Sequence, residues 1–499
     1  MNIVDYFFEK PRDMQKPVIF YEGELVSYEN LLDRVKAVSG FLRRFNQRKN
    51  VLIVGDNSPF TVESYLGVIG AGCVAVPIHP RTSNSDFKYI IESADIDTAF
   101  IQKKYLKKFP SDQFLTLKNI ILDEAEESYD SINTLKSDVS SFANVDKDDL
   151  AVIVYTSGST GVPKGVMITH QNINANTDSI VDYFKLKSDD RIMVVLPFSY
   201  CFGASLLHSH LRVGGEIVIN NAFLFAGKVL EEINEKKCTG FAGVPSHFQI
   251  LLRRTKIKSM DFPTLRYVAQ AGGKLANPFI NELIEALPKA NIFIMYGQTE
   301  ATARLSYLEP SLLKTKLGSI GKGIPGVTLE VLNKQDKKVK PGEVGEIVAI
   351  GENIMKGYWD DIEETSKVIR NGKLFTGDLA TVDEDGFIYV VEREKQIIKS
   401  GGYRVSPKEI EEFIVAMPEI VEAAVIGVPD DILGESIKAY VTLRDPKNSV
   451  ISQGDIISTC RKSLPSYKVP RYVEFIKTIP KNTSGKVLKD ELVRLEAKS

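Results

Sequence analysis

No run of eighteen apolar residues occurs in this 499-residue chain, which argues against a membrane-spanning helix. The nearest approach, Tyr65 to Ile78, holds 14 residues with three glycines inside and reads as a buried helix running into a strand. Excess charge of one sign is also missing. With 63 Lys and Arg against 65 Asp and Glu, the net charge is −2, and a nucleic-acid binder would need a basic face. Cysteine is scarce. Cys73, Cys201, Cys238 and Cys460 stand far apart with no metal or redox spacing, which suits a soluble protein of a reducing compartment. The opening MNIVDYFFEK has neither a basic leader nor an apolar core, and the closing EAKS is not a peroxisomal address; the expectation is a cytoplasmic protein.

What is present is an ordinary globular composition, 43% hydrophobic and 26% charged, in a chain long enough for two to four domains at about 100–200 residues each. Short apolar runs recur: VLIVG at 51–55, CVAVPI at 73–78, TAFIQ at 98–102, NIILD at 119–123, AVIVYTSGS at 151–159, RIMVVLP at 191–197, GEIVI at 215–219, YVAQAGG at 267–273 and NIFIMYGQTE at 291–300. Many lead through turn signals into helix-like stretches. Ser58-Pro59, for instance, is an N-cap with proline at the first helical position, followed by Val62, Tyr65, Leu66 and Ile69 at helical spacing. Near-continuous apolar strands alternating with helices predict an α/β fold whose parallel sheets are covered on both faces. The acidic, Ser-rich stretch 124–149 reads as a surface excursion.

After about residue 315 the pattern changes to strands in quick succession (TLEVL, GEIVAIG, GFIYVVER), predicting a small antiparallel unit. From 395 to 499 a compact α+β pattern follows, in which Ser406-Pro407-Lys408-Glu409 is expected to open a helix with a capping box. The division expected is 1–394 and 395–499.

Five segments carry chemistry. Tyr155-Thr-Ser-Gly-Ser-Thr-Gly-Val-Pro-Lys-Gly165 runs out of an apolar strand with three glycines, four hydroxyls and a lysine. Glycines let backbone close around an anion, hydroxyls and N–H groups donate to it, and Lys164 adds charge. A flexible Ser/Gly turn is the simpler reading; the buried strand and embedded lysine favour phosphate binding. Lys164 is followed by Gly165, so the nucleotide-triphosphatase ending GK[ST] is missing. In Tyr296-Gly-Gln-Thr-Glu300 an aromatic, a hydroxyl and a carboxylate gather at a strand's C-terminal end, where α/β sheets bind ligands. Tyr296 can stack on a base, Thr299 can bond a phosphate and Glu300 can hold Mg²⁺. Thr376-Gly-Asp378 reads as a turn between strands, with Asp378 able to take ribose hydroxyls. Glu392 to Arg404 is a charged stretch at the domain boundary, and Pro480-Lys-Asn-Thr-Ser-Gly-Lys486 is a second glycine–hydroxyl–lysine loop.

Together, in order and spacing, these segments resemble the adenylate-forming superfamily of acyl- and aryl-CoA synthetases, peptide-synthetase adenylation domains and luciferases. The resemblance spans nearly the whole chain and is nearest in type to AMP-forming acyl-CoA synthetases. It implies a large ATP- and acid-binding domain followed by a small mobile domain. By position it implies that Thr156, Ser157, Gly158, Ser159, Thr160, Gly161 and Lys164 grip the phosphates of ATP. It further implies Gly272, Gly273 and Tyr296 as the adenine slot, with Thr299 nearby, Asp378 and Arg393 as a ribose clamp, and Glu300 as the magnesium ligand. Lys486 matches the lysine of adenylation, assisted by Glu300 and Thr156. Lys395 falls at the hinge, and Lys399, Gly401 and Gly402 on the thiol side.

In amino-acid-activating relatives an aspartate holds the substrate ammonium. Here the corresponding run is Phe202-Gly203-Ala204-Ser205, and where aryl-CoA ligases have a PxFH histidine this chain has Tyr200. Tyr200, Phe202, Gly203 and Gly297 are accordingly the expected surroundings of an acid without an ammonium. His208 and His210 form an H-x-H with no third ligand and read as core. The implied reaction is carboxylate plus ATP to acyl-adenylate, then thioester with CoA. Loading of a carrier protein's phosphopantetheine arm, or a non-catalytic nucleotide-binding regulator, are the alternatives.

Overall fold

A computed structural model describes residues 1–9, 13–108, 116–126, 128–137, 139–157, 162–393, 396–482 and 485–496. Two large sheets dominate the first two-thirds. In one, Val74–Ile78, Asn50–Val54, Thr98–Ile101 and Asn119–Leu122 run parallel; Leu150–Ser157 joins parallel to Val74–Ile78 and pairs antiparallel with Pro163–Thr169. In the other, Tyr267–Gln270, Gly240–Gly243, Arg191–Val194, Glu216–Ile219 and Pro17–Tyr21 are parallel, with Asn291–Tyr296 next to Tyr267–Gln270. The runs at 51–55, 73–78, 98–102, 119–123 and 215–219 are strands to within a residue at each end, whereas those at 191–197, 267–273 and 291–300 leave the sheet three or four residues sooner, at Val194, Gln270 and Tyr296. Pro17–Tyr21 and Gly240–Gly243 are additions. The second carries two glycines in four residues, which hides it from any propensity argument.

The main core lies between these sheets. Val152, Val154 and Ile168 of one face Ile19, Val194 and Ile217 of the other, with the Pro59–Gly70, His170–Phe184 and Cys201–Val213 helices in between. Burial of both faces explains the near-continuous apolar strands. The Pro59–Gly70 helix starts as its sequence requires, with Ser58 accepting from the Thr61 N–H and Thr61 returning the bond. Stretch 124–149 is not wholly a surface excursion, because Ile132 and Phe142 are buried in the core.

Two local expectations fail for tertiary reasons. Lys373–Val382 is one ten-residue strand, so Thr376-Gly-Asp378 lies inside a strand rather than in a turn. Gly377, at φ +73°, and a register shift at Leu379/Ala380 absorb the irregularity. Likewise the Pro407–Val415 helix has proline in its first turn but no capping box. The Ser406 hydroxyl donates to the Val391 carbonyl at 3.4 Å, and Glu409 pairs with Lys468 at 2.7 Å.

The small C-terminal domain is a second antiparallel sheet of Tyr403–Val405, Ile398–Ser400, Gly434–Leu443 and Ile420–Asp430, with Tyr472–Phe475 added parallel. No helix among the described residues is long and apolar enough to cross a membrane.

Candidate active site

The glycine loop leaves the sheet between two paired strands. Thr156 stands opposite Lys164 in register, so the loop is pinned at both ends. Lys164 is ion-paired with Glu364 and lies 5.2 Å over the Tyr358 ring. That hydrogen bond holds the Glu364 carboxyl down to about 2. Gly158, Ser159, Thr160 and Gly161 lie outside the described residues, as does the Ser157 side chain.

Tyr296 ends its strand with its hydroxyl donating to Asp378 at 2.7 Å. This bond brings the second and third sequence segments together across 82 residues. Arg393 sits opposite Asp378 in register, although its side chain is outside the described set. The next turn, Thr299–Ala301, presents Glu300, whose Oε1 accepts from the Tyr358 hydroxyl at 2.8 Å. Burial, then Glu300 itself, pushes the Tyr358 pKa up, so Tyr358 remains a donor. Thr299 Oγ1 is 3.5 Å from Cys201 Sγ.

Against this edge rests the loop from the C-terminal domain. A turn closed by Asn482, with Gly485 N donating to the Asn482 carbonyl at 2.9 Å, shapes it, and Gly485 has φ +81°. Its Gly485 carbonyl accepts from Ser246 Oγ at 3.2 Å. Gly272, at φ +88°, lies beside the lysine: a Cβ there would sit 3.7 Å from Lys486 Cε, within van der Waals contact. Gly273 follows, its carbonyl held by Gln270 Nε2 at 2.8 Å. The positive charges of Lys486 and Arg304 both reach Cys201, where they oppose the burial that pushes its thiol up. The structure thus brings Thr299, Glu300, Lys486 and Gly272 toward one place. Lys399, Gly401 and Gly402 are exposed on the C-terminal domain's own hairpin. Lys395 lies outside the described residues.

Beside Cys201 lies a small, almost wholly apolar cavity of about 20 Å³. Its wall is one face of the Cys201–Val213 helix (Cys201, Ala204 and His208), the strand residues Val152, Val154 and Ile168, and Tyr65, Phe198 and Thr302. None of the four residues expected around the acid lines it. Tyr200 stacks on His79 at 6.3 Å, and Phe202 lies 4.1 Å under the Arg304 guanidinium. Gly203 and Gly297 have no room for a side chain: a Cβ would come within 2.1 Å of the Pro197 carbonyl and 1.9 Å of the Ala303 carbonyl respectively. Their glycines serve backbone packing. Cys201, Ala204 and His208, which line the cavity, were not singled out from sequence, although their i, i+3, i+7 spacing is the helical signal. His208 accepts or donates with the Tyr65 hydroxyl at 3.0 Å, and burial lowers its pKa to about 3. His210, bonded to the Tyr267 hydroxyl at 2.9 Å, is core.

The family model described as "AMP-binding enzyme" matches residues 8–359, and "AMP-binding enzyme C-terminal domain" matches 409–486. The chain is 31% identical to a feruloyl-CoA synthase of Amycolatopsis sp., over 95% of this chain and 94% of the relative. It is 30% identical to a long-chain-fatty-acid–CoA ligase of Bacillus subtilis, over 97% and 92%. Among solved structures it superimposes with TM-score 0.92 on the anthranilate CoA ligase AuaEII in complex with anthranoyl-AMP, at 25% identity, covering 100% of this chain and 98% of that one. For ATP-bound MatB from Rhodopseudomonas palustris the values are 0.87 and 26%, covering 99% and 98%. The chain belongs to the AMP-binding enzyme family and is an ATP-dependent acid–thiol ligase working through an acyl-adenylate.

Proposed function

We propose that this enzyme activates a carboxylic acid with a largely apolar body and no α-ammonium, and passes the acyl group from AMP to the thiol of CoA. The observation that carries the reading is the apolar cavity beginning at Cys201, next to Thr299 and within reach of the charges of Lys486 and Arg304. A helix rises 1.5 Å per residue, so Cys201 and His208 are about 10 Å apart along this apolar face. Those two cations favour a carboxylate at the mouth, and the wall favours hydrocarbon behind it. Among the described residues no carboxylate lines the cavity, so burying an ammonium inside it would be costly. The acids in the names of two relatives, long-chain fatty acids and ferulate, are of this kind.

The residue roles follow. The 156–164 loop holds the phosphates, Tyr296 with Gly272 and Gly273 flanks the adenine, and Asp378 with Arg393 takes the ribose. Lys486 neutralises the α-phosphate as the acid's carboxylate oxygen attacks it and pyrophosphate leaves. The thiol then attacks the acyl carbon and AMP departs. Glu300 offers the hard oxygen donor that suits Mg²⁺, an ion that keeps several waters and leans on substrate phosphates. Bound there, the ion would neutralise phosphate charge. Between half-reactions the C-terminal domain turns about Lys395, withdrawing Lys486 and presenting Lys399, Gly401 and Gly402.

Acid-dependent ATP–pyrophosphate exchange with matched pairs tests the substrate class. Hexanoate should be preferred to norleucine, and each methylene that fits should add about 0.8 kcal/mol, roughly fourfold in affinity. A preference for norleucine would overturn it.

A further inference from the structure

The two domains also meet away from the reacting atoms, and there each caps a helix of the other. The Asn277–Ala286 helix begins at Ala276, which has no side-chain acceptor for the first N–H groups. Glu412 of the C-terminal domain supplies one: its Oε1 accepts from Asn277 N at 3.1 Å, while Oε2 pairs with Lys274 at 2.7 Å. Conversely, the Pro407–Val415 helix ends facing Arg253, the penultimate residue of the Pro245–Arg254 helix. The Arg253 side chain is 6% exposed. Its Nη1 donates to the carbonyls of Met417, Pro418 and Ile420 at 3.3, 3.0 and 3.3 Å, and its Nη2 to Val415 at 3.5 Å. Glu282 ion-pairs with it and Phe279 packs 4.9 Å below. A carboxylate at a helix N-terminus and a guanidinium at a helix C-terminus are the arrangement the helix dipole favours at each end. The Glu412 bond satisfies a first-turn N–H that its helix cannot satisfy itself, and Arg253 reaches the last helical carbonyl, Val415, together with three carbonyls of the turn and strand that follow.

We propose that Arg253 and Glu412 form a two-point clasp that holds the C-terminal domain in the arrangement seating Lys486, and so sets how the enzyme divides its time between the two half-reactions. The inference rests on the reading that this domain turns between them. Rotation would withdraw Val415–Ile420 from Arg253 and Glu412 from Asn277 together, and Arg253 would keep only Glu282, on its own domain. Charge-assisted hydrogen bonds of this kind are each worth enough to shift a two-state balance about ten- to a hundredfold. Both are positioning residues, remote from the substrate.

The test separates the half-reactions. Exchange of pyrophosphate into ATP, with hexanoate or ferulate according to which is turned over faster, reports adenylation; single-turnover thioester formation from the preformed acyl-adenylate and CoA reports transfer. Arg253→Met and Glu412→Ala should slow exchange about tenfold or more while leaving transfer unchanged or faster. Arg253→Lys and Glu412→Gln, which keep part of the bonding, should fall between. Retained transfer also shows that the variants fold. Lys486→Ala is run alongside, and should lose exchange but keep transfer. Equal loss in both half-reactions, or unchanged exchange while Lys486→Ala behaves as expected, would overturn the clasp and leave the domain rotation standing. If Lys486→Ala keeps full exchange, the rotation reading falls and the clasp with it.

Discussion

Lys486 and Glu300 come to the nucleotide edge from opposite directions, one on a loop seated by Ser246 and the other on the turn after Tyr296. Removing a positioned charge of this kind costs about 10²–10³ in rate. Lys486→Ala should therefore lose acid-dependent exchange by that factor while ATP binding, followed by equilibrium dialysis, persists. Glu300→Gln retains an acceptor for Tyr358 but is a poorer ligand for a hard cation. Its turnover should fall and its Mg²⁺ requirement rise; superimposable Mg²⁺ titrations of wild type and variant would contradict the assignment. At this scale the sequence was legible where chemistry sits in contiguous runs: Tyr155–Gly165, Tyr296–Glu300 and Pro480–Lys486 each read as a site. It was illegible where side-chain space decides. Nothing in the letters shows that a carbonyl lies where a Cβ would be at Gly203 and Gly297, which is why both are glycine. Cys201, Ala204 and His208 share a helix face, but a thiol and an imidazole do not register as an apolar stripe.

Among elements, the strands announced themselves because both faces are buried, and the failures came from a neighbour fifteen residues away or from the adjacent strand. Ser406 turns from its own helix to the Val391 carbonyl, so the capping box that local pattern predicts never forms. Thr376-Gly-Asp378 uses turn residues, yet a register shift carries the strand through. The Arg253–Glu412 clasp leaves no trace in sequence, since its members belong to helices that meet only in the folded chain. In the proposed domain rotation the thiol half-reaction depends on the link between the domains. Lys395→Pro fixes φ and removes an N–H; adenylation should survive and thioester formation should slow. Parallel loss in exchange and transfer would exclude a hinge there.

For the molecule as a whole, the five histidines define an acid limit. His79 and His170 are lowered to about 4, His208 to about 3, His210 to about 4 and His247 to about 3, in each case chiefly by burial. The unfolded chain binds protons on them from about pH 6.5 downward, whereas the native chain does not until about pH 3–4. Stability is therefore full above about pH 6.5 and falls as the pH drops toward 4, by up to about 1.4 kcal/mol per pH unit for each histidine. The melting temperature should fall between pH 7 and pH 5 and hardly change between pH 7 and pH 8; a flat profile from 7 to 5 would contradict the buried, neutral assignment. On the proposed reading, the same whole-molecule arrangement, with Lys486 seated, is the one that serves adenylation. The most direct test is pyrophosphate release over a panel of apolar carboxylic acids, followed with and without CoA. A burst of about one pyrophosphate per active site without CoA, becoming sustained turnover with AMP and thioester formed in equal amounts once CoA is added, is the result predicted for an acid–thiol ligase. Sustained release at the same rate without CoA, or formation of ADP in place of AMP, would contradict it.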